Sequence, residues 1–290
     1  MRDRGQVQRT AAGIGQERAA RLDALERASP EWRPWVELLR ATFQADADLA
    51  PAPEPLTPDA RPRSPADIAP LLHGRTVRFD AGRLRSLVQR LGELVDLRSV
   101  AELEVVGLAA AAVRQDSAVL ERAARQAEIE PAAFETVVNL AVWPLLQACG
   151  RQLQTHIPSG WSRGYCPVCG AWPVLAELRG LERTRCLRCG RCGGDWQRPW
   201  LACVYCSERD HERLGSLVIA GRAEGRTVET CASCHGHLKS LATLQAVAPP
   251  DLLVSDLETV ELDLAAWERG FRRPARPGFL VAVRLEGVEP

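Results

Sequence analysis

Lysine is all but missing from this 290-residue sequence. Lys239 is the only one, and every other long cationic side chain is arginine. That bias is read as genomic base composition rather than as bidentate anion recognition. Net charge is missing too, with 37 basic and 37 acidic residues, so nothing global steers the chain to nucleic acid or an anionic membrane. No apolar run reaches 18 residues, and no membrane span is expected. The stretch from Met1 to Gln8 lacks the apolar centre of a secretory signal. No G-x-x-x-x-G-K-[ST] nucleotide loop is present, and no Ser/His/Asp or paired-carboxylate constellation stands out. These absences argue against a nucleotide-driven or hydrolytic enzyme.

Cysteine, by contrast, is concentrated. Nine of the ten cysteines fall between positions 166 and 234. They read Cys166-x-x-Cys169, then Cys186-x-x-Cys189-x-x-Cys192, then Cys203-x-x-Cys206, then Cys231-x-x-Cys234. Two cysteines separated by two residues sit on one tight turn with both sulfurs aimed at a common centre, and a second such turn completes a tetrahedral sulfur site. Four turns make two sites. The 19 residues between Cys169 and Cys189 lie within the usual range for such a site, and the 24 between Cys206 and Cys231 are slightly long but workable. Without a secretory signal this usage points to metal thiolates in a reducing compartment, the cytoplasm, rather than to disulfides. Cys149, alone in an apolar helical stretch, is expected to be a buried small hydrophobe.

The pattern along the chain predicts a mixed α+β protein. Residues 1–45 read as helical, broken near Pro30 and Pro34, with Ser29-Pro30-Glu31 starting a second helix. Prolines crowd 50–65, which is expected to be extended and solvated. Asp80 is expected to cap a helix carrying Leu84, Leu87, Val88, Leu91, Leu94 and Val95 at three- and four-residue spacing. One helix is expected over about 100–126 and another from Pro131. Strands are expected over Ala171–Leu178, Gly215–Ala220 and Arg226–Thr230. A single amphipathic helix is expected over 251–269, followed by a tail from Phe271 that trails. The division is then an α-helical domain over 1–157, two four-cysteine metal-binding modules over 158–248, and a C-terminal helix and tail over 249–290 packing on the modules.

Trp161-Ser-Arg-Gly-Tyr-Cys166-Pro-Val-Cys169-Gly170 resembles the start of the metal-binding part of the formate dehydrogenase accessory protein family, FdhE. The likeness continues through Cys189-Gly-Arg-Cys192-Gly-Gly-Asp-Trp196, Cys203-Val-Tyr-Cys206, Cys231-Ala-Ser-Cys234, Leu238-Lys239, Asp256-Leu257 and Gly270-Phe271, and covers about 161–271. The resemblance implies an N-terminal all-α domain, two small rubredoxin-like or zinc-ribbon metal modules and a C-terminal helix. It implies two metal ions per chain, iron or zinc, on Cys166, Cys169, Cys189, Cys192, Cys203, Cys206, Cys231 and Cys234. It implies a cytoplasmic maturation factor, not an enzyme, that binds the catalytic subunit of respiratory formate dehydrogenase, a molybdopterin/iron–sulfur client, before export. Cys186 departs from the family pattern. The position of Trp196 selects Cys189 with Cys192 as ligands, and Cys186 with Cys189 is the competing frame.

Sequential pairing puts the first two turns on one metal and the last two on the other; interleaved pairing needs larger loop closures. Thiolate sets accept both iron and zinc. With iron, the same ligands pass one electron in the manner of a rubredoxin. A thiol–disulfide oxidoreductase would need a metal-free pair, for which Cys203 and Cys206 are the candidates. The rival function is nucleic-acid binding by zinc ribbons. Residues 161–240 hold 12 basic and 8 acidic side chains, and two four-thiolate sites, each near −2, cancel that excess. The arginines at 179, 183, 185, 188 and 191 are expected to form a solvated hairpin. His235, directly after Cys234, is not needed as a ligand, and Trp196 and Trp200 are expected to be local core.

Overall fold

A computed structural model describes residues 11–45, 69–97, 104–219 and 225–288. The proline-rich stretch 50–65, the start of the helix expected over 100–126 and nearly all of the Gly221–Gly225 turn lie outside these residues.

Several of the helices begin where the chain offers a cap or a proline. Helix α1 (Ala11–Ala28) is followed by a 3₁₀ turn, Pro30–Trp32, and by α2 (Arg33–Ala45). Pro34 falls in the first turn of α2, where a missing N–H leaves nothing unsatisfied. Strand β1 (Thr76–Asp80) leads into α3 (Ala81–Leu94), which Asp80 caps by accepting from the Arg83 N–H at 2.9 Å. The helix expected over 100–126 is two helices, α4 (Val105–Arg114) and α5 (Ser117–Gln126). Gln115 turns left-handed at φ 62, and Asp116 starts α5 by accepting from the Val119 N–H. Helix α6 (Pro131–Leu153) has proline in its first turn and Glu130 as its cap. The segment Pro131–His156 is long and apolar enough to cross a membrane by those criteria alone, although no 18-residue apolar run is present. Its window is 67% buried within the fold, as the central helix of a bundle must be.

The cysteine half forms one sheet, in the order β4-β3-β2-β7-β6-β5. The strands are β2 (Leu175–Arg179), β3 (Thr184–Arg188), β4 (Asp195–Gln197), β5 (Leu214–Leu217), β6 (Arg226–Cys231) and β7 (His237–Thr243). Each half of the sheet is an antiparallel three-stranded unit, and β2 joins β7 in parallel, with Leu175 opposite Lys239. The protein is thus mixed helix and sheet, as expected, with zinc-ribbon-like modules fused through their strands.

The C-terminal part departs from expectation in two ways. Residues 251–269 form two helices, α7 (Asp251–Leu257) and α8 (Val260–Glu268). Thr259, at φ −123, breaks them and returns its hydroxyl to the Ser255 carbonyl at 2.7 Å. The tail does not trail, nor does it pack on the modules alone. Strand β8 (Arg284–Val288) pairs in parallel with β1, Thr76 opposite Arg284, and buries Val283 and Leu285 among the helices. Charges at Arg284 and Glu286 alternating with Leu285 carry that strand, a signal too short to stand out among the prolines before it.

The largest apolar cluster does not stop between helices and sheet. It runs from Leu84, Leu91, Phe134 and Val142 into Cys166, Val168, Cys189 and Trp196. Helix α6 approaches the metal half so closely that a Cβ on Gly150 would lie 1.7 Å from the Cys192 carbonyl oxygen. On the same face, Trp143 and Gln147 donate to the carbonyls of Gly190 and Arg191 at 2.8 and 3.1 Å. Substituting Gly150→Ala is expected to lower stability by about 3 kcal/mol. Gly15→Ala, exposed in α1 with open space around it, should instead raise it slightly, by up to about 1 kcal/mol. Chemical-denaturation midpoints check both.

Candidate metal centre

Each module repeats one plan: cysteine turn, strand, strand, cysteine turn, strand. The first cysteine of every turn donates its N–H to the carbonyl five residues on, at 2.7–3.0 Å, in the pairs Cys166 to Ala171, Cys189 to Gly194, Cys203 to Glu208 and Cys231 to Gly236. The residue after the second cysteine is left-handed in all four turns, at φ 77 for Gly170, 72 for Gly193, 64 for Ser207 and 54 for His235. Glycine at that position is therefore a feature of the first module only. In the last turn His235 carries the positive φ; the Gly236 that follows is needed for closeness, since its Cβ would meet the Tyr205 ring at 2.5 Å. The turn aims backbone N–H groups at sulfur. Val168 donates to Cys166 Sγ at 3.4 Å, Tyr205 and Cys206 donate to Cys203, and Ser233 and Cys234 donate to Cys231.

The sulfurs of Cys166, Cys169, Cys189 and Cys192 lie within 4.8 Å of one another, and so do those of Cys203, Cys206, Cys231 and Cys234. The nearest approaches are 3.5 Å in the first group, Cys166 to Cys192 and Cys169 to Cys189, and 3.6 Å in the second, Cys203 to Cys234 and Cys206 to Cys231. Four thiolates around an ion at about 2.3 Å would stand about 3.8 Å apart. Each group can therefore hold one metal ion with little adjustment, and the turns are gathered sequentially rather than interleaved. Neither group contains a histidine.

Protonation reflects this crowding. Burial pushes Cys166 far above the ordinary thiol range, while hydrogen bonds from Cys166, Cys189 and Cys192 hold Cys169 far below it. In the second group burial pushes Cys203 up to about 11 against its N–H donors, and at Cys231 the N–H groups of Cys234 and Ser233 outweigh burial and lower it. Four sulfurs this close cannot all ionise without a cation between them.

Cys186 stands apart. It lies on β3 opposite Glu177 and Gln197, buried and with its thiol raised by desolvation, outside both groups. Cys149 is buried on α6, where desolvation raises it to about 12. His235 is exposed and stacks obliquely on Phe271. Trp196 is buried with its Nε1 donating to the Arg163 carbonyl, whereas Trp200 is 48% exposed.

The arginine cluster is not a solvated hairpin. Arg188 and Arg179 hold the fully buried Glu177, Arg179 also reaches Asp195 at 2.7 Å, and Arg185 holds Glu229. Arg191 donates to the Ala112 carbonyl at 2.5 Å. Of the five, Arg183 is the one left exposed at a turn. The single lysine has a similar task. Lys239 is buried on β7 between Asp256 at 2.5 Å and Asp263 at 2.7 Å, with Arg273 bound to both carboxylates at 2.9 Å and His237 to Asp263 at 2.9 Å. Burial alone would raise the Asp263 carboxyl; the His237 hydrogen bond and the Arg273 and Lys239 charges outweigh it and hold the group below the carboxylate range. The sequence does not announce this network because its members lie on β7, α7, α8 and the segment after α8.

Searches among known proteins agree with the resemblance seen in the cysteine pattern. No family model matches the chain. It is 35% identical over 120 residues to a protein FdhE homolog of Stutzerimonas stutzeri (strain A1501), a match covering 40% of this chain and 38% of that one. It is 32% identical over 120 residues to a protein FdhE homolog of Aquifex aeolicus (strain VF5), covering 40% and 41%. The matched part thus spans about two fifths of the length of these relatives. Among solved structures, the FdhE protein from Pseudomonas aeruginosa superposes with a TM-score of 0.64 at 24% identity, over 94% of this chain and 98% of that one, and so shares its fold. These likenesses support the FdhE family.

Two outcomes are expected from substitution. The pair Cys206→Ser and Cys234→Ser should remove one metal equivalent by elemental analysis and leave the other bound; loss of both equivalents would contradict independent sites. Lys239→Ala should cost about 3–5 kcal/mol by denaturant titration, because it leaves Asp256 partly buried with Arg273 and Asp263 with Arg273 and His237, without the ammonium group that joins them.

Proposed function

We propose that this chain is an accessory protein for formate dehydrogenase of the FdhE kind. In this reading it acts in the cytoplasm, binds the molybdopterin/iron–sulfur catalytic subunit before export, and is needed for that enzyme's activity. The observation that carries the reading is the tandem of all-cysteine clusters in one sheet docked on a helical half, in a chain whose relatives bear the FdhE name. The division into 1–157, 158–248 and 249–290 is proposed as its functional layout. On this reading Cys166, Cys169, Cys189 and Cys192 hold one ion and Cys203, Cys206, Cys231 and Cys234 a second, each iron or zinc. A bound ion supplies cross-linking of each pair of turns and, with iron, one-electron chemistry.

Four sulfurs fill a tetrahedral ion's coordination places, leaving none for water activation, which supports a binding rather than a catalytic role. The commitment of Arg179, Arg185, Arg188 and Arg191 to internal partners weighs against the nucleic-acid reading, since phosphate binding needs free cations on one face. The grouping of all four C-x-x-C turns into fours weighs against a free redox-active pair.

The test is genetic and biochemical together. Tagged chain from anaerobic cells should carry two equivalents of metal and co-purify the formate dehydrogenase catalytic subunit. A strain lacking the gene should lose that enzyme's activity, and full activity there would refute the proposal.

A further inference from the structure

The two clusters share their sulfur geometry but not their surroundings. In the first, Cys166, Cys169 and Cys189 are fully buried and Cys192 is 2% exposed. Both of its left-handed glycines are roofed. A Cβ on Gly170 would lie 2.4 Å from the Phe279 carbonyl oxygen, and one on Gly193 would lie 2.7 Å from the Pro249 side chain. Phe279 also donates its N–H to the Gly170 carbonyl at 3.0 Å, and Gln115 reaches the Cys169 carbonyl. With α6 seated against Cys192, reaching these sulfurs requires parting the helices, the C-terminal segment and the sheet. Such an opening approaches global unfolding.

In the second cluster Cys203 and Cys231 are buried, but Cys206 and Cys234 are exposed. Its left-handed positions are Ser207 and His235, both open to solvent. A side chain in that conformation costs about 1–2 kcal/mol, which glycine would not. The Cys203 turn is packed from its inner side, where a Cβ on Gly164 would lie 1.7 Å from the Val204 carbonyl oxygen, but over the outer side, at Cys234, lies the short segment at Phe271 and Arg272, where the Arg272 N–H bonds the His235 carbonyl at 2.8 Å. Local opening of two exposed turns suffices to free two sulfurs.

We propose that the second cluster is an exchange site for thiolate ligands, entered through Cys206 and Cys234, while the first is a permanent staple. This rests on the reading that both clusters hold a metal ion. In the exchange, an incoming thiol forms its bond to the ion as the bond from Cys206 or Cys234 breaks, and the proton it sheds goes to the departing sulfur. No electrons change hands. The partner class is a protein or small molecule presenting paired thiols, because only soft donors compete with thiolates for such an ion.

The experiment uses the full chain loaded with two zinc ions and challenged with dimercaptosuccinate. Native mass spectrometry counts ions per chain over time, and N-ethylmaleimide with peptide mapping reports which cysteines become free. A one-ion species should accumulate, with Cys203, Cys206, Cys231 and Cys234 alkylated about tenfold or more faster than Cys166, Cys169, Cys189 and Cys192. The fast phase should quicken with dithiol concentration. Simultaneous loss of both ions, earlier alkylation of the first group, or a fast phase indifferent to the dithiol would overturn the exchange role alone. A chain that takes up fewer than two ions would overturn the metal reading, and the exchange role with it.

Discussion

Thiolates held 3.5–3.6 Å apart repel one another, and only a cation among them turns that crowding into attraction. Ion binding to such a set is worth about 10–16 kcal/mol in small folds and is inseparable from folding. The rest of the metal half is arranged to bring such a set together. Each closed pair of turns holds its strands in register, and the two three-stranded units then complete each other where β2 meets β7. A module of this size has too little apolar surface to stand alone. Sharing a sheet and lending Cys166, Val168 and Trp196 to the helical core supplies the remainder.

Buried charge does the second part of the joining. Lys239, Asp256, Asp263 and Arg273 tie β7 to α7, α8 and the segment after them, while Glu177 collects Arg179 and Arg188 at the centre of the sheet. Such groups are tolerated because each has partners; isolating one would be far costlier than the pair is favourable. The break at Thr259 belongs to the same arrangement. Two short helices, unlike one straight helix, let Asp256 and Asp263 meet the same ammonium group while Leu252 and Val254 pack on opposite neighbours. Helix α7 is further clamped to α1 by Arg18 with Asp251 and Arg21 with Glu258.

Much of this was legible before any coordinates. Cysteine spacing marked both groups because a C-x-x-C turn is a local structure, and the Trp196 position singled out Cys189 and Cys192, which lie with Cys166 and Cys169 while Cys186 remains on β3. Asp80 and Pro131 announced their helices for equally local reasons. The failures were of a different kind. The Asp116-Ser117 break lies inside a long alanine- and valine-rich run of helix formers that masks it. Strand β8 is hidden because its alternation is only a few residues long, and β7 because it is buried on both faces while His237, Lys239 and Ser240 give it no apolar run.

What the sequence determined by itself is the chemistry of the sulfurs: which cysteines sit in turns, how many there are, and that soft metals suit them. Spacing within a turn is a matter of a few bonds, so no distant contact can change it. What only the tertiary structure decided is how differently the two groups are held. Gly150, Phe279 and Pro249 come from three distant parts of the chain to cover the first group, whereas Cys206 and Cys234 remain exposed in the second. Burial is a sum over neighbours brought from afar, and turns that share one C-x-x-C spacing do not name the neighbours that will cover them.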